Sequence, residues 1–282
     1  MRKTHVLSAM LLVAAGAFSS PAPTPKPLSI VKPSLRQYEG GPPVESGFHT
    51  GDTVFFSFQI AGYQVSPEAR IDLAVRVEVF DPAGAPLVKP IEHPIATQVS
   101  AEDKNWLPVV REAVEIPPLA LPGIYRIRAA VEDRLSKQSA ASETAVPVRG
   151  TQVEPSDTLV ARNFRFLRSE DDRNPLASPV YRSGDAVWVR FEMTGFRYGE
   201  KNRVAVSYGV TILGPSGNQM YSQPQAALDE DAGSFYPKRY LPGVFNLSLS
   251  GKVQPGEYAL LLTLRDLAGN QTDESRHVFR VE

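Results

Sequence analysis

The side chains with types suited to chemistry are four histidines, two acidic runs and a set of aromatic residues standing near cations. His5, His49, His93 and His277 are scattered along the chain. A nucleophile–base–orienter site is recognised by spatial roles, so scatter in sequence does not by itself exclude one. The short signatures that usually carry such sites are missing, however: there is no Gly-x-Ser-x-Gly, no His-Glu-x-x-His and no phosphate-cradling glycine loop. With nothing to assemble the required geometry, the expectation is a chain that is not an enzyme and uses no cofactor.

The acidic runs are Glu170-Asp171-Asp172 and Asp229-Glu230-Asp231. Carboxylates of this kind suit calcium, but the alternating ligand spacing of a calcium loop is absent, so solvated loop charge is expected and no metal site. Asp52 and Asp185 each follow a glycine, and bonding of the side-chain oxygen to nearby backbone accounts for them. The residues left as contact candidates are Phe55, Trp188, Trp106, Phe235, Tyr236, Lys238, Arg239 and Tyr240. Flat rings exposed on a sheet stack on sugars or on a partner's apolar surface, and aromatic side chains beside basic ones make contact anchors.

What positions these residues is a duplication. His49-Thr50-Gly51-Asp52-Thr53-Val54 aligns with Arg182-Ser183-Gly184-Asp185-Ala186-Val187, a displacement of 133 (182 − 49). Without a gap, Phe58 then meets Phe191, Gly62 meets Gly195, and Asp81-Pro82-Ala83-Gly84 meets Gly214-Pro215-Ser216-Gly217. After a divergent stretch the register returns, with Pro122-Gly123-Ile124-Tyr125 against Pro255-Gly256-Glu257-Tyr258. Solenoid repeats run about 20–50 residues, so so long a period predicts a duplicated domain. The divergent stretches, Ile91 to Glu112 and Pro224 to Phe245, read as insertions in which each copy carries its own function.

Both copies alternate with period two. Val54, Phe56, Phe58 and Ile60 share one face, as do Ile71, Leu73, Val75, Val77 and Val79. In the second copy the inward set is Val187, Val189, Phe191 and Met193, then Val204, Val206, Tyr208, Val210 and Ile212. Late strands carry Tyr125, Ile127, Ala129 and Val131, mirrored by Tyr258, Leu260, Leu262 and Leu264. Strands with one buried face, separated by turns, predict an all-β fold of two tandem antiparallel sandwiches. On this phase Phe55 and its twin Trp188 face outward.

Leu121-Pro122-Gly123-Ile124-Tyr125 resembles the Pro-Gly-x-Tyr corner of fibronectin-III and bacterial Ig-like domains, and Asp266-Leu267-Ala268-Gly269-Asn270 resembles a turn that often follows it. The Gly-Asp-x-Val opening is similar, more distantly, to macroglobulin domains. The resemblance implies a fold and a hydroxyl of Tyr125 and Tyr258 tied back to nearby backbone; it implies no activity.

Arg2, Lys3 and the apolar run Val6 to Phe18, ending near Ala15-Gly16-Ala17, predict a signal peptide over 1–17, too short to span a bilayer. A proline-rich stretch over 18–27, a first domain over 28–150, a linker over 151–157 and a second domain over 158–282 follow. There is no cysteine, hence no disulfide and no lipid-anchored N-terminal cysteine. Thirty basic and 31 acidic residues balance, which gives no reason to expect nucleic acid or an anionic membrane as the main partner. The expected function is a non-catalytic, exported interaction or structural protein of a bacterial periplasm or beyond, presenting two Ig-like domains to a protein partner. A carbohydrate-binding protein using Phe55, Trp188, Trp106 or Tyr236 is the second reading, and an accessory protein or enzyme with an unrecognised site the third.

Overall fold

The computed structural model describes residues 26–100, 102–103 and 105–282. The expected signal peptide and residues 18–25 of the proline-rich stretch lie outside the described residues. The fold is all-β. In the first half the strands are β1 (Ser29–Arg36), β2 (Phe48–His49), β3 (Thr53–Ala61), β4 (Arg70–Phe80), β5 (Ile91–Gln98), β6 (Val109–Glu115), β7 (Gly123–Asp133) and β8 (Ser139–Arg149). In the second they are β9 (Val160–Leu167), β10 (Val180–Tyr181), β11 (Ala186–Thr194), β12 (Ala205–Leu213), β13 (Gln219–Glu230), β14 (Leu241–Ser248), β15 (Gly256–Asp266) and β16 (Gln271–Val281).

Each half makes a three-stranded and a five-stranded sheet: β1-β3-β6 with β2-β8-β7-β4-β5, then β9-β11-β14 with β10-β16-β15-β12-β13. The second order is the first with eight added to every strand. The displacement of 133 extends to the pairing: Val54 faces Val114 as Val187 faces Leu247, and Tyr125 faces Val146 as Tyr258 faces Phe279. The first strands obey a displacement of 131 instead (160 − 29), Ser29 facing Ala61 as Val160 faces Thr194. Both carry a bulge with one left-handed residue, Lys32 (φ 51°) and Asn163 (φ 49°).

The inward residues predicted by the alternation are buried in both halves. They form two clusters, one between the sheets of each half. Removing a large apolar side chain such as Phe58 or Phe191 from water stabilises by about 1.5–3 kcal/mol, so these rows hold each sheet pair together.

The two repeated motifs touch one another. A Cβ built on Gly123 would stand 2.6 Å from Cγ of Pro82, and one on Gly256 2.6 Å from Cγ of Pro215. With φ of 148° and 149°, a backbone that side chains rarely adopt, glycine is required where each corner passes over the proline of its own turn.

The divergent stretches are not inserted loops. Ile91 to Glu112 contains β5 and most of β6, and Pro224 to Phe245 contains part of β13 and of β14. These are edge strands, paired on one side only, and β5 has no fully buried residue. β5 and β13 bury no residue fully, so little in their sequences has to match, while the strand order is the same in both halves. One structural difference is a bulge in β13 opposite Gly209, where a Cβ would meet the Pro224 carbonyl at 2.2 Å; Arg76 stands at the same place in the first half.

Candidate interaction surfaces

Several singled-out residues prove to be scaffold. The Tyr125 hydroxyl donates to the carbonyl of Leu121 and that of Tyr258 to Gln254, both at 2.8 Å, the corner bond the resemblance implied. Burial pushes the Tyr125 hydroxyl well above the ordinary tyrosine range. Asp52 and Asp185 accept the backbone N–H of His49 and Arg182, both at 2.7 Å. Asp133 and Asp266 are buried and each accepts several N–H donors from neighbouring loops, among them Gln64 and Arg197.

The histidines do not come together. His49 is at the surface beside Asp52. His93 on β5 reaches across the open edge between the two sheets of the first half to Glu112 on β6. His277 stacks on Phe164, with ring centroids 3.4 Å apart, and bonds Ser275 at 2.9 Å; burial lowers its proton affinity. Ser275 and His277 share a strand with no third group orienting the imidazole among the described hydrogen bonds. His5 lies outside the described residues. Among the described residues no group of three or more acidic or histidine side chains is arranged to hold a metal ion, and no helix is long and apolar enough to cross a membrane.

The acidic runs go different ways. Asp172 caps its own turn by accepting the N–H of Asn174. Asp229 and Asp231 hold the Lys238 ammonium at 3.2 and 3.0 Å. Burial opposes ionisation of Asp231, but Lys238 and the N–H groups of Val204 and Gly233 outweigh it and hold that carboxyl below the usual range.

Tyr236, Lys238, Arg239 and Tyr240 are committed inside the molecule. Tyr236 is buried and belongs to the core cluster of the first half. Its hydroxyl donates to Asp81 at 2.9 Å, and Arg239 donates to both the Tyr236 hydroxyl and Asp81. The guanidinium also lies 4.9 Å from the Tyr236 ring centroid. The Arg239 N–H donates to the Leu119 carbonyl, while the Leu119 side chain packs on the second core. The loop before β14 thus interlocks with the turn after β4 and the loop before β7. Tyr240 is buried in the second half, and Phe235 alone in this run is exposed, at 49%.

Asp81 is the residue the sequence undersold. It reads as the first position of a turn, and it does accept the Ala85 N–H. Its twin is Gly214, and that asymmetry was the available signal that the side chain has work in one half only.

The other end of the first half carries the matching loop. Trp106, at the place of Arg239, is 38% exposed, and its carbonyl accepts the Tyr63 hydroxyl at 2.5 Å. In the second half Tyr198, two places past the twin of Tyr63, makes a similar bond to the carbonyl of Lys238, the residue before the twin of Trp106, at 2.6 Å. Tyr63 and Trp106 line a cavity of about 820 Å³ together with Val65, Gln64, Asn105 and Gln138. Phe55 and Trp188 stand on the outer faces of the three-stranded sheets as the phase predicts, and both are half-buried.

Compared with known protein families and with curated proteins, the chain matches none.

Proposed function

We propose that the chain is a non-catalytic exported protein of the cell envelope, built from two Ig-like or fibronectin-III-like domains over 28–150 and 158–282. On this reading the two are clamped in fixed relation and offer the far end of the first to a protein partner. The resemblance of the Pro-Gly-x-Tyr corners and the bonds made by Tyr125 and Tyr258 support the assignment of both domains to that class.

One observation carries the interaction role. The second half uses the loop Phe235 to Tyr240 to grip another sheet pair, and the equivalent loop of the first half carries Trp106 beside an open, aromatic-lined cavity. Large apolar rings grouped at the surface mark contact sites more often than scattered ones do. Export is supported by the sequence of residues 1–17.

A saccharide ligand is the second reading, favoured by amide side chains of Gln64, Asn105 and Gln138 beside the Tyr63 and Trp106 rings. The test is capture from an envelope extract, with cross-linking, in parallel with a glycan panel. Trp106→Ala is expected to abolish capture of one defined protein while leaving the melting temperature unchanged. Undiminished capture overturns the site, and glycan binding that Trp106→Ala removes favours the second reading.

A further inference from the structure

A different surface carries a ligand site of its own. On the outer face of the sheet β1-β3-β6, Ser57 pairs with Ser34 on one side and Arg111 on the other, and the next outward residue, Phe55, pairs with Arg36 and Ala113. Arg36 and Arg111 therefore stand diagonally on either side of β3, with Ser57 and the Phe55 ring between them. Two strand spacings of about 4.8 Å separate their backbones, a gap that two long side chains span only by leaning toward each other over β3. Both arginines line the same two adjoining hollows, of about 240 and 560 Å³; Phe55 walls the smaller and Lys32 joins the larger.

The charge of this face is unanswered from within. Among the described residues no ion pair involves Arg36, Arg111 or Lys32. Glu39 and Glu112 also line the smaller hollow, but the Glu112 carboxylate is turned to His93, and no carboxylate lines the larger. Three polar atoms here, Arg36 Nε, Ser34 Oγ and Gln59 Oε1, are buried with no hydrogen-bond partner in the protein. Buried polar groups almost always have partners, so three at one place point to a polar ligand.

The second half answers the charge of this face from within, although Arg162 Nε and Arg190 Nε are buried there without a hydrogen-bond partner as well. There Glu192 stands at the place of Gln59 and Arg165 at that of Ser34, and the two form a forked pair at 3.0 and 3.2 Å. Arg190, at the place of Ser57, is held by the Glu170 carbonyl. The first half carries its arginines at other places, Leu167 and Val244 standing where Arg36 and Arg111 would be, and has an amide where the carboxylate would be.

We infer that the outer face of β1-β3-β6 binds an oxyanion, a sulfate or carboxylate group carried on a saccharide, between the Arg36 and Arg111 guanidinium groups with the Phe55 ring beside it. Guanidinium forks match the geometry of such groups, and an aromatic face accepts the sugar ring. The amide of Gln59, whose two ends exchange by a half-turn, presents either its oxygen to a sugar hydroxyl or its NH₂ to the oxyanion. The near-zero charge of the whole chain is no obstacle, because the field a ligand meets is that of the local face.

The test is calorimetric titration of the intact protein with a sulfated oligosaccharide, its unsulfated counterpart and inorganic sulfate. The sulfated sugar is expected to bind, the unsulfated one not, and binding is expected to weaken as salt rises. Arg36→Ala and Arg111→Ala should each weaken it about ten-fold, the loss of one charge-assisted contact. Gln59→Glu, which installs the carboxylate of the second half, should abolish it without loss of fold. Arg128→Ala, on the outer face of the other sheet, is the control and should bind as the wild type does. Inorganic sulfate competing at the same arginines with no gain from the sugar keeps the oxyanion site and removes the saccharide. No binding by any probe, or binding indifferent to both arginines and to Gln59→Glu, overturns the inference. Trp106→Ala should leave this binding intact, so this site and the proposed partner site fail independently.

Discussion

The buried carboxylate of Asp81 accepts a hydrogen bond from the hydroxyl of Tyr236, 155 residues further along the chain, and Arg239 binds both. A buried acid, a buried phenol and a largely buried guanidinium thus answer one another across the two halves. Asp81→Asn keeps the size of the side chain and removes the charge, leaving Arg239 without its anion. Breaking such a pair from one side costs about 3 kcal/mol, mostly the penalty on the stranded partner. The expected outcome in calorimetry is loss of a single cooperative transition in favour of two. Tyr236→Phe, which removes only a hydroxyl, should cost less, about 1–2 kcal/mol. A single unshifted transition in Asp81→Asn would show that the clamp contributes nothing.

The contact between each corner glycine and the proline of its own turn gives a second expectation. Gly256→Ala drives a Cβ into Pro215 and strains a positive φ, so it should lower stability by about 2 kcal/mol or more. Pro215→Ala in the same chain removes the contact with Cγ but leaves a tight one with Cβ at 3.0 Å, and the strain. Urea unfolding of the two single variants and the double should therefore show partial recovery, a coupling of the kind seen between residues in contact.

Phenylalanine in place of either corner tyrosine tests whether the hydroxyls are structural. Tyr125→Phe and Tyr258→Phe should each cost about 1 kcal/mol, the net worth of one hydrogen bond, and strand the Leu121 or Gln254 carbonyl. Neither change should affect capture of a partner or binding of an oxyanion.

Alkaline pH supplies a fourth. Tyr181 is buried, its hydroxyl donates to the Leu167 carbonyl at 2.9 Å, and burial raises its pKa from 10.0 to about 12. The folded protein therefore holds this proton more tightly than the unfolded chain. The associated stability is fully present below pH 10 and falls as pH rises from 10 through 12, by about 1.4 kcal/mol per unit at most. Tyr181→Phe should flatten that part of the profile in denaturant titrations between pH 9 and 12. An unchanged slope would place the alkaline sensitivity elsewhere.

Trp188 is expected to behave as a half-buried residue. Trp188→Ala should lower stability by about 1–2 kcal/mol, short of the 3–5 kcal/mol of a core tryptophan. Thermal unfolding beside Phe55→Ala distinguishes the two cases.

Much of the fold was legible because a strand with one buried face writes its own period. Val54 to Ile60 and Ile71 to Val79 are central strands, flanked on both sides, and each inward position must be apolar. The glycine turns and corner tyrosines were legible for a related reason, since φ > 0 and a local i to i−4 bond are fixed by residues a few positions apart. The edges were not legible. β5 alternates only between exposed and half-buried residues, and β1 was hidden by a displacement two residues short of the rest.

By itself the sequence determined the all-β class, the duplication at 133 residues and which face of each central strand is inside, because local periodicity and backbone geometry are read a few residues at a time. Only the tertiary structure decided what the unshared residues do. Tyr236 and Arg239 looked like anchors for a partner until the fold brought Asp81 to them, and only strand register set Arg36 and Arg111 on either side of β3. Such roles rest on meetings between residues far apart in the chain, where the energy of each group is set by neighbours that no local pattern names.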